Sequence, residues 1–319
     1  MKGHANRRPR KIKPRCIMIL VILIFIFVSV AALACLPHFI INNMVNLHVN
    51  FNRYWTADVF GIAANELVLI TEDNLKIAAW EVEAENPKAV IICLSGIHNP
   101  SVTAFFGHSV MFQNNDYASV LVEMRAHGAS EGNVISLGMT EYKDAQAAAA
   151  WIRSQEKYNG IPVAVMGLSM GASTAINTIG QTPKIDALIS LSAFSGFADV
   201  FCDNMKLLSL PKFIAVLEKP FVSLYLGIKY GFDKLKINPA DSLEKLNGRP
   251  ALIMHSTEDT SVPFASFQRI MKKLGSASNI HTFVRKGDYH FICNEYFTEP
   301  WEDEEYSSAL LGFLNNYFY

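Results

Sequence analysis

Cysteines at metal-ligand spacing are missing from this chain of 319 residues; the five it has, at 16, 35, 93, 202 and 293, are scattered. That pattern excludes a zinc finger or ribbon and supplies no disulfide framework, so buried thiols are the default, with a Cys202–Cys293 bridge left open for an exported protein. No internal repeat and no low-complexity segment is evident, which sets aside solenoids and disordered tethers. The one Asn-x-Ser/Thr match, at Asn99, is blocked by Pro100, so glycosylation offers no clue. No acidic residue precedes Asp58, no Lys or Arg lies between Pro37 and Asn52, and no charge of either sign falls between Ile17 and Leu36.

What remains in that uncharged stretch is twenty residues of apolar sequence broken only by Ser29 and Cys35. As a helix it would span roughly 30 Å at about 1.5 Å per residue, the thickness of a bilayer's hydrocarbon core. Ahead of it stand Lys2, Arg7, Arg8, Arg10, Lys11, Lys13 and Arg15. Basic residues on that flank alone place the N-terminus in the cytoplasm and everything after Pro37 outside it. A retained signal anchor in the cell membrane ranks first because the run is longer than a cleavable apolar region. Cleavage at Ala32-Leu33-Ala34 and lipid attachment at Cys35 are the alternatives. The organisation expected is a basic tail at 1–15, a membrane segment at 16–36, a connector at 37–64 and one domain at 65–319. Without the seven leading basic residues, 21 Lys and Arg face all 29 Asp and Glu, a balance of −8 that argues against a nucleic-acid partner.

Beyond the connector, apolar runs at 66–70 and 75–82 flank the polar turn Thr71-Glu72-Asp73-Asn74 and predict an antiparallel hairpin. Continuous apolar strands follow at 89–94, 118–122, 162–168, 185–191, 251–254 and 280–284. Helical stretches separate or follow them at 102–113, 140–155, 170–178, 263–274 and 304–316. That alternation predicts an α/β class with a mostly parallel sheet covered on both faces. The segment at about 194–238 breaks it. Rich in Phe, Leu, Met and Lys and punctuated by Pro211 and Pro220, it reads as a small helical cap. Its apolar residues either line an acyl pocket or pack the cap on the core.

The chemistry concentrates in Val163-Ala164-Val165-Met166-Gly167-Leu168-Ser169-Met170-Gly171-Ala172-Ser173. An apolar strand running into Gly-x-Ser-x-Gly and then into small residues is the pattern of a nucleophile elbow, a serine on a tight strand-to-helix turn. Gly167 and Gly171 leave room where strand and helix converge, and the Met170 amide at the helix start is a candidate oxyanion donor. A serine needs a base and a group that orients it. Asp259, in a loop after an apolar strand, is the candidate acid. His290, in a loop after the last expected strand, is the candidate base, whereas His255 and His281 fall within strands. The loop Ser95-Gly96-Ile97-His98-Asn99-Pro100 offers the Ile97 amide as second oxyanion donor. His98 and His108 precede the nucleophile without a carboxylate at ligand spacing and read as structural or substrate-contacting, so no metal is expected.

The ordered set Gly167-Leu168-Ser169-Met170-Gly171, then Asp259 with Val262-Pro263, then His290, resembles the α/β-hydrolase superfamily. Arg125-Ala126-His127-Gly128-Ala129-Ser130-Glu131-Gly132 is similar to the Arg-Gly-x-Gly-x-Ser-x-Gly loop of its serine aminopeptidase and monoacylglycerol lipase-like branch. Ala126 replaces the first glycine of that pattern, and Ser95-Gly96 stands where His-Gly is common. The resemblance covers residues 66–319. It implies an α/β-hydrolase fold and a serine hydrolase, with no cofactor, acting on a small-molecule or lipid acyl substrate. Ester cleavage is expected first, then amide or peptide cleavage, then thioesterase or acyltransferase chemistry. A binding protein that keeps the fold without catalysis is the alternative from another class. Oligomeric state is open.

Overall fold

A computed structural model describes residues 13–98, 100–207, 211–293 and 297–319. Most of the basic tail, Asn99 of the loop after the third strand and residues 208–210 of the cap segment lie outside the described residues. The chain opens with α1 (Pro14–Val45), a helix long and apolar enough to cross a membrane, with none of its most apolar window buried. Helix α1 does not stop where the uncharged run ends. It continues through Pro37 to Val45, and Ile41 and Val45 are fully buried against the domain. Two such aliphatic side chains stabilise the docking by roughly 1.5–3 kcal/mol each. The Ile135 amide also donates to the Val45 carbonyl at 2.8 Å.

Strands β1 (Asn65–Ile70) and β2 (Lys76–Val82) form the expected antiparallel hairpin, its turn closed by Asn74 at φ 63°. β3 (Ala89–Leu94), α2 (Phe106–Gln113), β4 (Tyr117–Val122), α3 (Tyr142–Ser154), β5 (Val163–Leu168), α4 (Met170–Gln181) and β6 (Ala187–Leu191) then alternate. Next come α5 (Phe197–Leu207), α6 (Lys212–Tyr230), the short α7 (Pro239–Ser242), β7 (Ala251–Ser256), α8 (Ala265–Leu274), β8 (Ile280–Arg285) and α9 (Glu304–Tyr317). The eight strands lie in the order β1-β2-β4-β3-β5-β6-β7-β8, and every pair from β4 to β8 is parallel.

Strands β3 to β7 are buried on both faces, which is why they read as unbroken apolar runs, whereas the edge strands β1 and β8 are partly exposed. Along β3, Val90, Ile92 and Leu94 join one core with Ala148 and Ile152 of α3, Ile176 of α4 and Ile270 of α8. Their neighbours Ala89, Ile91 and Cys93 join the other, with Phe112 of α2 and Tyr306 and Leu310 of α9. Cys202 and Cys293 belong to opposite cores and are free, so the bridge that the sequence left open does not form.

Helices α5 and α6 occupy the segment between β6 and α7. Pro211 is the N-cap of α6, as a breaker should be, but Pro220 sits inside that helix. It withholds the amide that would bond the Val216 carbonyl, and both residues lie on the exposed side, so no orphaned carbonyl is buried. On the inner side Glu218 is fully buried, and neither oxygen has a hydrogen-bond partner among the described residues. Burial pushes its carboxyl up to about 7. The folded chain therefore holds this proton at a pH where the unfolded chain has released it, and stability drains as pH rises from the ordinary glutamate range past 7. Glu218→Gln is expected to raise Tm at pH 8 and leave it nearly unchanged at pH 4, checked by thermal unfolding at both values.

Candidate active site

The end of β5 delivers Ser169 in a conformation few non-glycine residues adopt, φ 55° and ψ −116°. Its amide donates to the Leu191 carbonyl of β6 at 2.8 Å, so the strained turn is held by the sheet. The two flanking glycines are required by contact. A Cβ on Gly167 would overlap the Gly171 carbonyl, and one on Gly171 would overlap the carbonyls of Ser95 and Leu94. The second contact shows how α4 starts against the end of β3, which brings the loop carrying Gly96 and Ile97 beside the serine. Met170 is the first residue of α4, so its amide has no acceptor within the helix.

Asp259 and His290 come from the loops after β7 and β8, and backbone bonds join these loops. Thr257 donates to the Arg285 carbonyl and Glu258 to that of Gly287, both at 2.9 Å. Asp288 accepts from the Thr260 amide and hydroxyl at 3.0 and 2.8 Å. The result places His290 Nδ1 at 2.9 and 3.1 Å from the two oxygens of Asp259. Asp259 Oδ1 also accepts from the amides of Ser261 and Val262, each at 2.8 Å. Burial alone would raise the Asp259 carboxyl, but His290, the Val262 amide and His255 outweigh it and hold the group below the ordinary carboxylate range. It stays ionised through mild acid and fixes the imidazole proton on Nδ1, leaving Nε2 as the basic nitrogen.

Ser169, Met170, Gly96, Ile97 and His290 line one cavity of about 410 Å³. No hydrogen bond among the described residues joins Ser169 to His290; unliganded sites often close such contacts only around substrate. His255, the alternative base, is buried at the end of β7. Its Nε2 lies 2.8 Å from the Val262 carbonyl and 3.8 Å from Asp259, and burial lowers its pKa. His281 pairs with the Tyr317 hydroxyl at 2.8 Å. His108 is fully buried against Tyr306, with burial pushing it down to about 3. Neither lines the cavity. Among the described residues no group of three His, Cys, Asp or Glu side chains is arranged to hold a metal ion.

The loop after β3 is braced differently from the pattern it resembles. Ser95 Oγ donates to the Pro100 carbonyl at 2.6 Å and closes the loop on itself. His127 Nδ1 lies 2.9 Å from the Arg125 carbonyl, so that nitrogen carries the proton and Nε2 accepts from the His98 amide at 3.4 Å. The Arg125 to Gly132 loop thereby holds the loop that carries Ile97 from behind. Ala126 takes φ 62° at the place of the missing glycine and is fully buried. Sequence reasoning missed two contributors. Asn204 of α5 donates to the Ser261 carbonyl at 3.2 Å and lines the cavity with a buried Oδ1 that has no partner among the described residues. Ile40 and Met44 of α1 form part of the wall. Neither has a sequence signal, because both depend on how the cap and α1 dock.

The sequence profile of the S15 peptidase family, X-Pro dipeptidyl-peptidase, matches residues 70–218. Among curated proteins, YqkD of Bacillus subtilis is 23% identical over 192 residues, 59% of this chain and 61% of that protein. The membrane protein YNL320W of Saccharomyces cerevisiae is 24% identical over 187 residues, 58% of this chain and 55% of that one. The match thus spans less than two thirds of either relative. In structure, the Pyrococcus furiosus esterase Pf2001 superimposes with a TM-score of 0.66 at 21% identity, over 85% of this chain and 99% of that one. Strand order, elbow and superposition agree, and the chain has the α/β-hydrolase fold.

Proposed function

We propose that this chain is a membrane-anchored serine hydrolase that cleaves a carboxylic ester or related acyl bond. The observation that carries the reading is a strained, cavity-facing Ser169 in the same cavity as an imidazole held through Nδ1 by an ionised Asp259. Ser169 Oγ attacks the substrate carbonyl carbon as His290 Nε2 takes its proton. The oxyanion that forms is met by the amides of Met170 and Ile97. Collapse expels the alcohol, which leaves with the proton from His290. Water then gives a proton to His290 as it attacks the acyl-serine; collapse breaks the bond to Ser169 Oγ, which takes that proton back from His290, and the acid is released. The uncharged segment of α1 is the anchor, and the basic residues ahead of it set the domain outside the cytoplasm.

The S15 profile match favours a second reading, a peptidase on the same three residues. A dipeptidyl-peptidase must hold a charged amino terminus, and a buried ammonium needs an anionic partner. The described residues that line the cavity include no carboxylate, and most are aliphatic or aromatic. That lining suits an acyl chain and supports ester cleavage, the monoacylglycerol lipase-like reading, over peptide cleavage. The test is labelling of the full chain in detergent with a fluorophosphonate probe. Stoichiometric labelling of wild type, lost in Ser169→Ala and His290→Ala, is expected. A folded wild type that takes no label would move the non-catalytic binding reading to first place.

A further inference from the structure

Helix α6 carries an apolar face that its own core does not use. Its inner side is Ala215, Glu218, Val222 and Leu226, all buried. Its outer side presents Phe213, Val216, Leu217, Leu224 and Ile228, between 47% and 72% exposed. With Pro220 between them, positions 213, 217, 220, 224 and 228 form one stripe at helical spacing. An exposed apolar patch rimmed by polar residues marks an interaction surface.

The neighbour of that stripe is α1. Helix α6 packs on it through His38 and Tyr225, with ring centroids 5.9 Å apart, and through Lys229 Nζ donating to Asn46 Oδ1. On α1 the exposed Phe39 and Ile40 stand three and four residues past Leu36, where the apolar run ends. Ile40 lines the cavity and is also 42% exposed, so the cavity reaches the surface on this side. Four residues beyond Leu36, it stands roughly 6 Å past the end of that run along the helix axis. Charge points the same way. Residues 194–238 carry six Lys against four Asp and Glu, while residues 37–319 as a whole balance at −8. A segment of net positive charge that carries an apolar face suits an anionic membrane surface.

We propose that the outer stripe of α6 and the turns of α1 around Ile40 rest in the surface of the bilayer that α1 crosses, and that a lipid acyl chain enters the cavity from the bilayer past Ile40 and Met44. The substrate class is then a membrane-resident acyl lipid. Chemistry at Ser169 rests on the hydrolase reading above; contact of α6 with lipid does not.

The test uses the full chain in vesicles of phosphatidylcholine and phosphatidylglycerol with an alkyne-tagged phosphatidylcholine. Benzoylphenylalanine replaces Leu224 or Ile228, and as control Glu85, exposed in the loop that leads into β3, at the end of the parallel strands opposite the one that Ser169 follows. Irradiation is expected to yield lipid adducts at 224 and 228 well above those at 85. Adducts at control level, or crosslinks to a second copy of the chain in their place, overturn the proposal. A second arm compares 4-methylumbelliferyl oleate in the vesicles with the soluble acetate ester. Leu224→Asp with Ile228→Asp is expected to slow oleate turnover about tenfold and leave acetate turnover unchanged. Equal effects on the two esters overturn entry from the bilayer. If wild type turned over neither ester while the adducts formed, the hydrolase reading would fail and the membrane contact would stand.

Discussion

Alanine at Ser169 or at His290 is expected to lower kcat/KM on a soluble ester by about 10⁶-fold each, and alanine at Asp259 by about 10⁴-fold. The order follows from the roles proposed for the three residues. Without Ser169 there is no nucleophile, and without His290 nothing takes its proton. Without Asp259 the imidazole is still present but loses the partner at 2.9 Å that fixes its tautomer. Because the three act as a unit, the Ser169→Ala, His290→Ala double variant is expected to be no slower than either single one. Steady-state kinetics on 4-methylumbelliferyl acetate measures this. Additive losses in the double variant would mean that the two residues do not share one step.

A valine at Gly171 is expected to destabilise the chain by about 4 kcal/mol or more and to abolish probe labelling as well. The added Cβ meets the carbonyls of Ser95 and Leu94, which are backbone atoms and have no rotamer to change. Either the start of α4 moves off β3, taking the Met170 amide with it, or the loop that carries Ile97 is displaced. Gly312 on α9 supplies the contrast, since a Cβ there meets nothing within 4 Å. Gly312→Ala is expected to be neutral or to stabilise by up to about 1 kcal/mol through helix propensity. Thermal unfolding of the detergent-solubilised chain compares the two. Equal Tm values would show that the elbow tolerates a side chain after all.

The central sheet is legible in the sequence because strands buried on both faces must be apolar at every position, and few other elements are. The hairpin from β1 to β2 is legible for the opposite reason, a polar turn between two short runs. Ser169, Asp259 and His290 are legible as an order, since each follows a recognisable strand. Periodicity, however, says nothing about which helix docks where. That α1 runs on to Val45 depends on burial of Ile41 and Val45 against residues distant in sequence. Pro220 reads as a breaker, yet it is carried inside α6 because its missing amide falls on the exposed side. Ile40, Met44 and Asn204 become visible only once that docking exists, for no local pattern distinguishes a residue that lines a cavity from one that fills a core.

The domain's three buried thiols bear on where such a chain can be folded. Cys93, Cys202 and Cys293 are unpaired, and burial raises each of them, Cys202 to about 11 and Cys293 to about 12. A thiol reacts as its thiolate, so these three are poor substrates for oxidants and for disulfide exchange. Cys16 and Cys35, the two exposed ones, lie within α1 and would sit at or inside the lipid. Under the proposed export, the domain makes no demand on oxidative folding catalysts, and its stability is expected to be indifferent to the redox poise of the compartment that receives it.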